Sequence, residues 1–544
     1  MMRHSQALSF LMALLLGCGA SSSREGNETS TVVGEPGRVP VETPFRGGDQ
    51  ADDSDRAQAP WGVPFGINNA FASSRDSTYV YLRDLGIEWI SDHLARRRME
   101  KVKDGEVKYD FSEADAKVNE YTRQGRARAW YIVNIESKYR FEDGIEVGDG
   151  RKSAGKFLPH GPVSYRAYGD FLRALVKRVN GAVPGRKVEL WSIDNEQASL
   201  YVPAFCSSGL TRERGEQAAG AYAEVLIYSA RVIHEVDSQA RIVFGGPGGG
   251  TPDEEYEYFY GPALRILASR IPGGGFDFFD FHNFNVHQDY RTNPRGKGLD
   301  FFRKILADAG LPGKPIIIKA GATHSGLDRN AENKRLHIFQ TEAQQAEHLI
   351  KRFVYHVADG VPLILWGDIR EDDVEHGAYS HNGLVYNGSP RSGRCESESE
   401  NPCPDPGDGV RKLSYFALKH LIEKLKGSVW ERTEAIPAGS DDVRIYKFLD
   451  TRNRPTWIAW YDYWKSGQSS RTVILEVGEA ESALVTESLP RESEGAKIIP
   501  ARYKDSFSRT TLPVADGKIT ISLGKSPVFV QPIDGSSESG IPGR

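Results

Sequence analysis

Between residues 61 and 427 the sequence alternates short, apolar, β-rich runs with longer segments of helical period, and this alternation limits the possible folds more than any other feature. Strands that alternate with helices are typical of a parallel sheet covered by helices. Eight such units predict an α/β protein with a (β/α)8, or TIM, barrel. The predicted strands cover residues 63–68, 87–91, 127–135, 188–193, 240–246, 276–282, 315–321 and 362–368.

The rest of the chain divides into four further segments. Residues 428–535 carry alternating runs such as VRIYKFLD and KITISL between turn residues, which predicts a C-terminal β-sandwich domain. Residues 536–544 are expected to form a flexible tail. Residues 19–60 are rich in Ser, Gly, Glu, Asp and Pro and nearly lack large apolar side chains, so they are predicted to be a disordered linker. Residues 1–18 read as a signal peptide.

The end of the signal segment points to a lipid anchor. The apolar run LSFLMALLLG follows Arg3 and is too short to span a bilayer as a helix. It leads into Leu15-Leu16-Gly17-Cys18, which resembles the lipobox of bacterial lipoproteins. The resemblance implies lipidation of Cys18 and an exported protein anchored at the bacterial cell envelope, at the outer membrane or cell surface. An ordinary secretory signal with an unrelated cysteine is the alternative.

Composition and cysteine spacing exclude several classes of partner. The formal net charge of -5 provides no basic surface for nucleic acid, so we predict no nucleic-acid partner. The other cysteines, Cys206, Cys395 and Cys403, form no C-x-x-C pair and have no nearby histidine pair. We therefore predict no catalytic metal and no cofactor. Export would permit a disulfide between Cys395 and Cys403.

Polar side chains stand at the predicted carboxyl ends of the strands, where barrel proteins carry their functional groups. A polar rim with tryptophan nearby suits a polyhydroxylated ligand, because its hydroxyls accept and donate hydrogen bonds and its C–H faces stack on aromatic rings. The sequence therefore predicts a carbohydrate ligand. The strand-end residues are Asn68, Asn69, Asp92, His93, Asn134, Glu136, Asp194, Asn195, Glu196, His282, Asn283, Lys319, Trp366 and Asp368.

Several segments resemble clan-A glycoside hydrolases, in particular their xylosidase- and iduronidase-like branch. LGIEWISDHLARRRMEKVKDGEVKYDFSEADAKV looks like the second strand and following loop of that group, and VELWSIDNEQ like its fourth strand, where an Asn-Glu pair presents the general acid/base. FDFFDFHNF is similar to the sixth strand with a histidine at its tip, and AEHLIKRFVYHVADGVPLILW to the last helix and strand, which ends in tryptophan. The resemblance covers most of residues 61–427.

The resemblance implies hydrolysis of O-glycosidic bonds in an oligo- or polysaccharide, with Glu196 as general acid/base. It further implies that Asn195 and His282 hold sugar hydroxyls and that Trp366 is a stacking platform. Asp92 and Lys319 complete the predicted substrate-binding set by their positions at strand ends.

The second carboxyl group that such enzymes need is missing from its usual position. In the resembling families a glutamate nucleophile ends strand seven in a segment like P-I-x-x-T-E-x-G, whereas this chain reads KPIIIKAGATHSG and has Lys319 there. An ammonium group cannot form a glycosyl ester. Ser91 and Phe284 also replace an arginine and a tyrosine that commonly support the nucleophile. The three replacements fit the loss of one function.

Three interpretations remain open. The chain is a glycosidase that uses Glu196 with a relocated carboxylate, or a non-catalytic glycan-binding surface lipoprotein, or a protein in which Lys319 pairs with Glu196 and lowers the pKa of that glutamate. A Schiff base on Lys319 is a further alternative. A second carboxylate close to Glu196 would favour catalysis, and Lys319 alone would argue against it. The candidates by position are Asp92, Glu136, Asp368 and Glu371.

Two motifs follow the fifth predicted strand. GGPGGG at 245–250 lacks the ending of a phosphate-binding loop and is interpreted as a loop after the strand. The acidic-aromatic run DEEYEYFYG at 253–261 is interpreted as a solvated loop that enters a helix, with tyrosines lining a sugar subsite as the alternative.

Overall fold

The computed structural model describes the barrel region and the C-terminal domain in segments. These are residues 65–68, 78–103, 106–122, 128–134, 141–142, 145–146, 165–181, 188–201, 211–326, 338–371, 381–388, 406–434, 442–462 and 469–533. The predicted signal peptide with Cys18, the linker, the C-terminal tail and all four cysteines lie outside these residues, as do Asn69 and Glu136.

Eight parallel strands close into a barrel, as the sequence predicts. Each lies at one of the eight predicted positions, with ends that differ by a few residues. In chain order they are β1 (Phe65–Asn68), β2 (Trp89–Ala95), β3 (Arg128–Asn134), β4 (Val188–Ile193), β5 (Arg241–Phe244), β6 (Phe278–Phe284), β7 (Ile316–Ala322) and β8 (Ile364–Trp366). β1 pairs with both β8 and β2, which closes the ring.

A principal helix follows each strand. These are α1 (Thr78–Leu85), α2 (Ser112–Thr122), α3 (Tyr165–Gly181), α4 (Arg212–Val236), α5 (Gly261–Arg270), α6 (Leu299–Asp308), α7 (Glu342–Ala358) and α8 (Leu413–Leu425). Their boundaries follow local signals: Thr341 caps α7, accepting a hydrogen bond from the Gln344 backbone while the Gln344 side chain accepts from the Thr341 backbone. Within the described ranges no helix is both long and apolar enough to cross a membrane.

The alternation of side chains along each strand separates two apolar layers. One cluster fills the barrel interior and includes Trp89, Trp130 and Phe278, with the Trp130 indole donating to Ser192 Oγ at 2.8 Å. The other lies between the strands and the helices. Since successive strand residues face opposite sides, a shift by one position along the strand moves a side chain from the barrel lumen to the helix side.

The C-terminal part is a separate antiparallel β domain, which agrees with the predicted sandwich. Its strands are β9 (Val429–Thr433), β10 (Val443–Leu449), β11 (Pro455–Tyr461), β12 (Arg471–Glu476), β13 (Ser482–Glu487), β14 (Arg509–Pro513), β15 (Lys518–Leu523) and β16 (Val528–Ile533). A six-stranded sheet of order β9-β10-β11-β16-β13-β14 packs with the β12-β15 pair over its own apolar core.

Asp462, just after β11, connects the two domains. Its Oδ2 accepts a hydrogen bond from the Tyr290 hydroxyl at 2.6 Å, and its Oδ1 lies 2.8 Å from Lys351 Nζ on α7. Lys351 also pairs with Glu347 at 2.9 Å, and all these groups are buried. A buried cation with two carboxylate partners therefore holds the β domain against the barrel.

Candidate active site at the carboxyl end of the barrel

Glu196 stands on a strained turn directly after β4. Asp194 and Glu196 both have positive φ, 57° and 50°, a conformation that non-glycine residues rarely adopt. The turn is anchored by Asp194, whose backbone N–H donates to Val133 O at 2.9 Å and whose Oδ2 accepts from the Tyr201 hydroxyl at 3.2 Å. Such outliers concentrate at functional sites. The turn leaves the Glu196 side chain 41% exposed, whereas Asp194 and Gln197 are buried.

His282, near the end of β6, joins two carboxylates. Its Nδ1 lies 2.8 Å from Glu196 Oε1, and its Nε2 lies 3.5 Å from Asp280 Oδ2. Burial and the nearby Lys319 charge oppose protonation of this imidazole, but the carboxylates of Asp280 and Glu196 outweigh them and raise its pKa. The raised pKa favours an imidazolium that donates from Nδ1 to Glu196, while Nε2 has no hydrogen-bond partner among the described residues.

Lys319 enters the site at an irregularity in β7. The pairing register between β6 and β7 shifts between Phe281 and His282, so that Lys319 is the unpaired extra residue. A bulge of this kind re-aims a side chain, and here Nζ donates to Asn195 Oδ1. The Lys319 backbone N–H donates to Asp280 Oδ1 at 2.9 Å. Burial lowers the pKa of the ammonium to about 8, although Asp280 and Glu196 act in the opposite direction.

The groups around Glu196 determine its protonation state. Burial alone would raise the pKa of this glutamate, but the hydrogen bond and charge of His282 and the charge of Lys319 outweigh it and lower the pKa. Glu196 lies beside His282 and near the charge of Lys319, and Asp280 faces the other side of the imidazole. At neutral pH Glu196 is an anion, suited to accept a proton or a hydroxyl hydrogen bond.

The structure brings together four of the residues that the sequence predicts for the site. His282 contacts Glu196, and Lys319 contacts Asn195. The charge of Lys319 also acts on Glu196. The interpretation that Lys319 lowers the pKa of Glu196 agrees with this arrangement, although the lysine contacts the neighbouring Asn195 side chain.

Two predicted binding residues point the wrong way. Trp366 is fully buried on the outer side of β8, where its ring stacks on Phe353 of α7 and its Nε1 donates to Asn382 O at 3.0 Å. Asp92 lies on the outer side of β2 and pairs with Lys117 of α2 at 3.0 Å. The predictions that Trp366 stacks on a sugar and that Asp92 belongs to the site were wrong, because strand alternation turns both side chains towards the helices.

Two of the four predicted candidates for a second carboxylate, Glu371 and Asp92, each form an ion pair with a lysine other than Lys319. Glu371 is buried and forms an ion pair with Lys412, which also donates to Ser325 Oγ at 2.8 Å, so its charge is already compensated. Asp368 is half-buried after β8. Asp92 serves the helix contact described above, and Glu136 lies outside the described residues.

Sequence reasoning missed two acidic residues near Glu196. Asp280 is hidden in the apolar run FDFFDFH, and only the alternation of that strand, with Phe279 and Phe281 facing outwards, could have placed it in the lumen. Glu255 was interpreted as part of a solvated run, but it is 3% exposed, and the charge of Glu196 is among the causes that raise its pKa.

The whole architecture is similar to that of solved glycoside hydrolases. A family 39 glycoside hydrolase from the gut symbiont Bacteroides cellulosilyticus WH2 shares 15% sequence identity over 88% of this chain and 82% of that chain, with a TM-score of 0.55. The GH39 enzyme from Xanthomonas axonopodis pv. citri shares 14% over 88% and 96%, with a TM-score of 0.52. A GH39 β-xylosidase from Caulobacter crescentus shares 14% over 87% and 96%, with a TM-score of 0.51.

The fold is that of the clan-A glycoside hydrolases. No protein-family model and no curated protein matches the sequence. At these identities the likeness establishes the fold alone, since one fold hosts many functions.

Proposed function

We propose that this protein binds an oligo- or polysaccharide at the carboxyl end of its barrel and hydrolyses an O-glycosidic bond there. The observation that carries the proposal is the Glu196 carboxylate, presented by a strained turn after β4 and held at 2.8 Å by His282. Asn195 and His282 supply polar groups for sugar hydroxyls at the same place. The clan-A fold supports a carbohydrate ligand.

The charge state of Glu196 favours one half of its predicted acid/base role. An anionic carboxylate is a base, and it can take a proton from a water molecule that attacks the anomeric carbon. Lys319 cannot form the glycosyl ester of a retaining enzyme. Direct attack by water, which inverts the anomeric configuration, is therefore the mechanism that these residues fit.

Lys319 favours a second candidate function, a glycan-binding protein without hydrolysis. Its Nζ contacts Asn195, and its positive charge would oppose the cationic character that develops on the sugar during hydrolysis. A lysine donor on the rim would still bind hydroxyl groups. Both functions use the same residues, so an assay must separate turnover from binding.

The test is hydrolysis of a panel of aryl glycosides and plant or bacterial polysaccharides by the purified full-length protein, beside Glu196→Gln and Glu189→Gln. Glu189→Gln is the control, because Glu189 lies on the same strand but outside the strained turn. We expect turnover with inverted product, lost by at least about 100-fold in Glu196→Gln only. Absence of turnover, with binding to one polysaccharide retained, would replace hydrolysis by the glycan-binding function.

We also propose that the protein is exported and attached to the cell envelope through lipid on Cys18. The support is the lipobox-like sequence ahead of a polar segment. Cys18→Ser should move the protein from the membrane fraction to the soluble fraction and abolish fatty-acid labelling. Unchanged fractionation of the variant would refute the anchor.

A further inference from the structure

The loop after β5 lies directly on Glu196. A Cβ atom added at Gly248 would stand 2.9 Å from Glu196 Oε1, so the glycine allows the loop backbone to approach the carboxylate. From there the chain turns through Thr251, whose N–H donates to Gly248 O at 3.1 Å, and starts a short helix at Asp253–Glu255. Six residues thus separate Gly248, which contacts Glu196, from Glu255.

A π-helix fixes the orientation of Glu255. Residues Tyr256–Tyr260 form a five-residue π segment between the short helix and α5. The wider turn rotates the preceding residues relative to α5, so that Glu255 is buried together with Tyr256, Phe259 and Tyr260, while Glu254 remains exposed. π segments are rare and occur frequently at functional sites. The acidic run is therefore a built element rather than a solvated loop.

Glu255 forms no ion pair with any described residue. Its side chain is 3% exposed, and within the described part of the chain its Oε2 has no hydrogen-bond partner. Burial, followed by the negative charges of Glu196 and Glu254, raises the pKa of Glu255 to about 8, and the Arg295 charge offsets this only in part. A protonated Glu255 adds no further negative charge beside Glu196.

We infer that Glu255 is the proton-donating carboxyl group of this site and acts with Glu196 on one glycosidic bond, an inference that rests on the proposed function. Two carboxyl groups whose environments shift them in opposite directions are the pattern by which acid and base are assigned in a hydrolase. The pair consists of a protonated residue after β5 and an anionic residue after β4. It replaces the carboxylate that is absent from β7.

The proposed step balances without a further reactant. Glu196 takes a proton from water, the water oxygen forms a bond to the anomeric carbon, and the bond from that carbon to the glycosidic oxygen breaks. The departing oxygen takes the proton of Glu255 and leaves as an alcohol. Afterwards Glu196 holds a proton and Glu255 lacks one, and exchange with solvent restores both.

Leaving-group dependence separates this role from a structural one. A glycoside with a poor leaving group needs the proton, whereas a glycosyl fluoride does not. We therefore expect Glu255→Gln to lose at least about 100-fold in kcat on alkyl glycosides and less than about 10-fold on the fluoride. Glu196→Gln should lose turnover on both substrates. Glu254→Gln, the same change at the exposed neighbour, should behave as the unmodified protein.

An infrared measurement tests the inference without turnover. The unmodified protein at pH 7 should show a protonated-carboxyl C=O band that disappears in Glu255→Gln and persists in Glu254→Gln. An ionised Glu255 at pH 7, or equal losses of Glu255→Gln on both substrates, would overturn the proton-donor role while Glu196→Gln still confirms hydrolysis. Absence of turnover in the unmodified protein would instead refute the proposed function, and the proton-donor role with it.

Discussion

Replacing Lys319 by methionine should make the protein more stable at neutral pH. The ammonium is 2% exposed, and burial lowers its pKa from 10.5 to about 8. This lowering of the pKa corresponds to about 3 kcal/mol by which the folded state disfavours the charged form. Loss of the hydrogen bond to Asn195 costs about 1 kcal/mol. Because methionine fills a similar volume, the free energy of unfolding should rise by about 2 kcal/mol.

The pH dependence of this gain identifies its cause. The unfolded lysine keeps its proton up to about pH 10.5, whereas the folded one releases it near pH 8. Between these values the unfolded chain binds more protons, so the unmodified protein gains stability as the pH rises. The advantage of Lys319→Met should therefore be complete below about pH 8 and shrink towards pH 10.5. Urea unfolding followed by tryptophan fluorescence measures the difference at each pH.

Lys351→Met is the matched control, because this lysine is equally buried but has two carboxylate partners within 2.9 Å. Its removal leaves Glu347 and Asp462 without their cation and should destabilise the protein by about 3–5 kcal/mol. A destabilised Lys319→Met protein, or a gain that does not change with pH, would refute the reasoning. It would mean that the site depends on the ammonium for its structure.

Three further predictions concern the loop, the ion pair and the domain contact. Gly248→Ala should displace the Glu196 carboxylate and lower kcat by at least about 10-fold, whereas Gly250→Ala, with open space around its added Cβ, should leave kinetics unchanged. His282→Gln should reduce the free energy of unfolding most between about pH 4.5 and 6.5. Above that window the contribution of His282 fades because its pKa is raised, and below it the contribution of Glu196 fades because its pKa is lowered. A pH series of urea unfolding would show a difference independent of pH if the pair were unimportant. Asp462→Asn should cost about 3–5 kcal/mol and separate barrel and β-domain unfolding into two calorimetric transitions, and a single unchanged transition would contradict its role as the domain anchor.

The barrel could be predicted because its signals are local and repeated. Each strand is an apolar run followed by a helix of clear period, and no single boundary decides the topology. Glu196 and His282 could be placed for the same reason, since the carboxyl ends of all eight strands meet at one rim. At that rim His282 Nδ1 lies 2.8 Å from Glu196 Oε1.

The direction of individual side chains could not be predicted with the same success. Trp366 ends β8 and Asp92 lies within β2, and each is one residue out of register with the lumen. The bulge at Lys319 shows why counting along a strand is not enough, because one extra residue reverses the facing of those that follow. The pairing register of a strand depends on its neighbouring strand, and the sequence alone does not show how the two strands are aligned.

Glu255 illustrates a different limit. An acidic-aromatic run is usually solvated, and only the π segment, which has no recognisable sequence signal, turns one glutamate inwards and leaves the next outside. A lone search for carboxylates at strand ends therefore misses it. The useful signal would have been the adjacent glycine-rich loop, since Gly248 allows the backbone to pass close to the Glu196 carboxylate after strand four.

The replacement on β7 and the burial of Glu255 are parts of one electrostatic arrangement. A carboxylate on β7 would add a negative charge beside Glu196 and the buried Asp280, and this charge would raise the pKa of Glu196. Lys319 instead acts together with His282 to lower the pKa of Glu196, while burial and the Glu196 charge raise the pKa of Glu255. A site with one anionic and one protonated carboxyl group is the pairing that hydrolysis by direct water attack requires. The lysine thus fits a change in the division of roles between carboxyl groups as well as it fits the loss of a nucleophile.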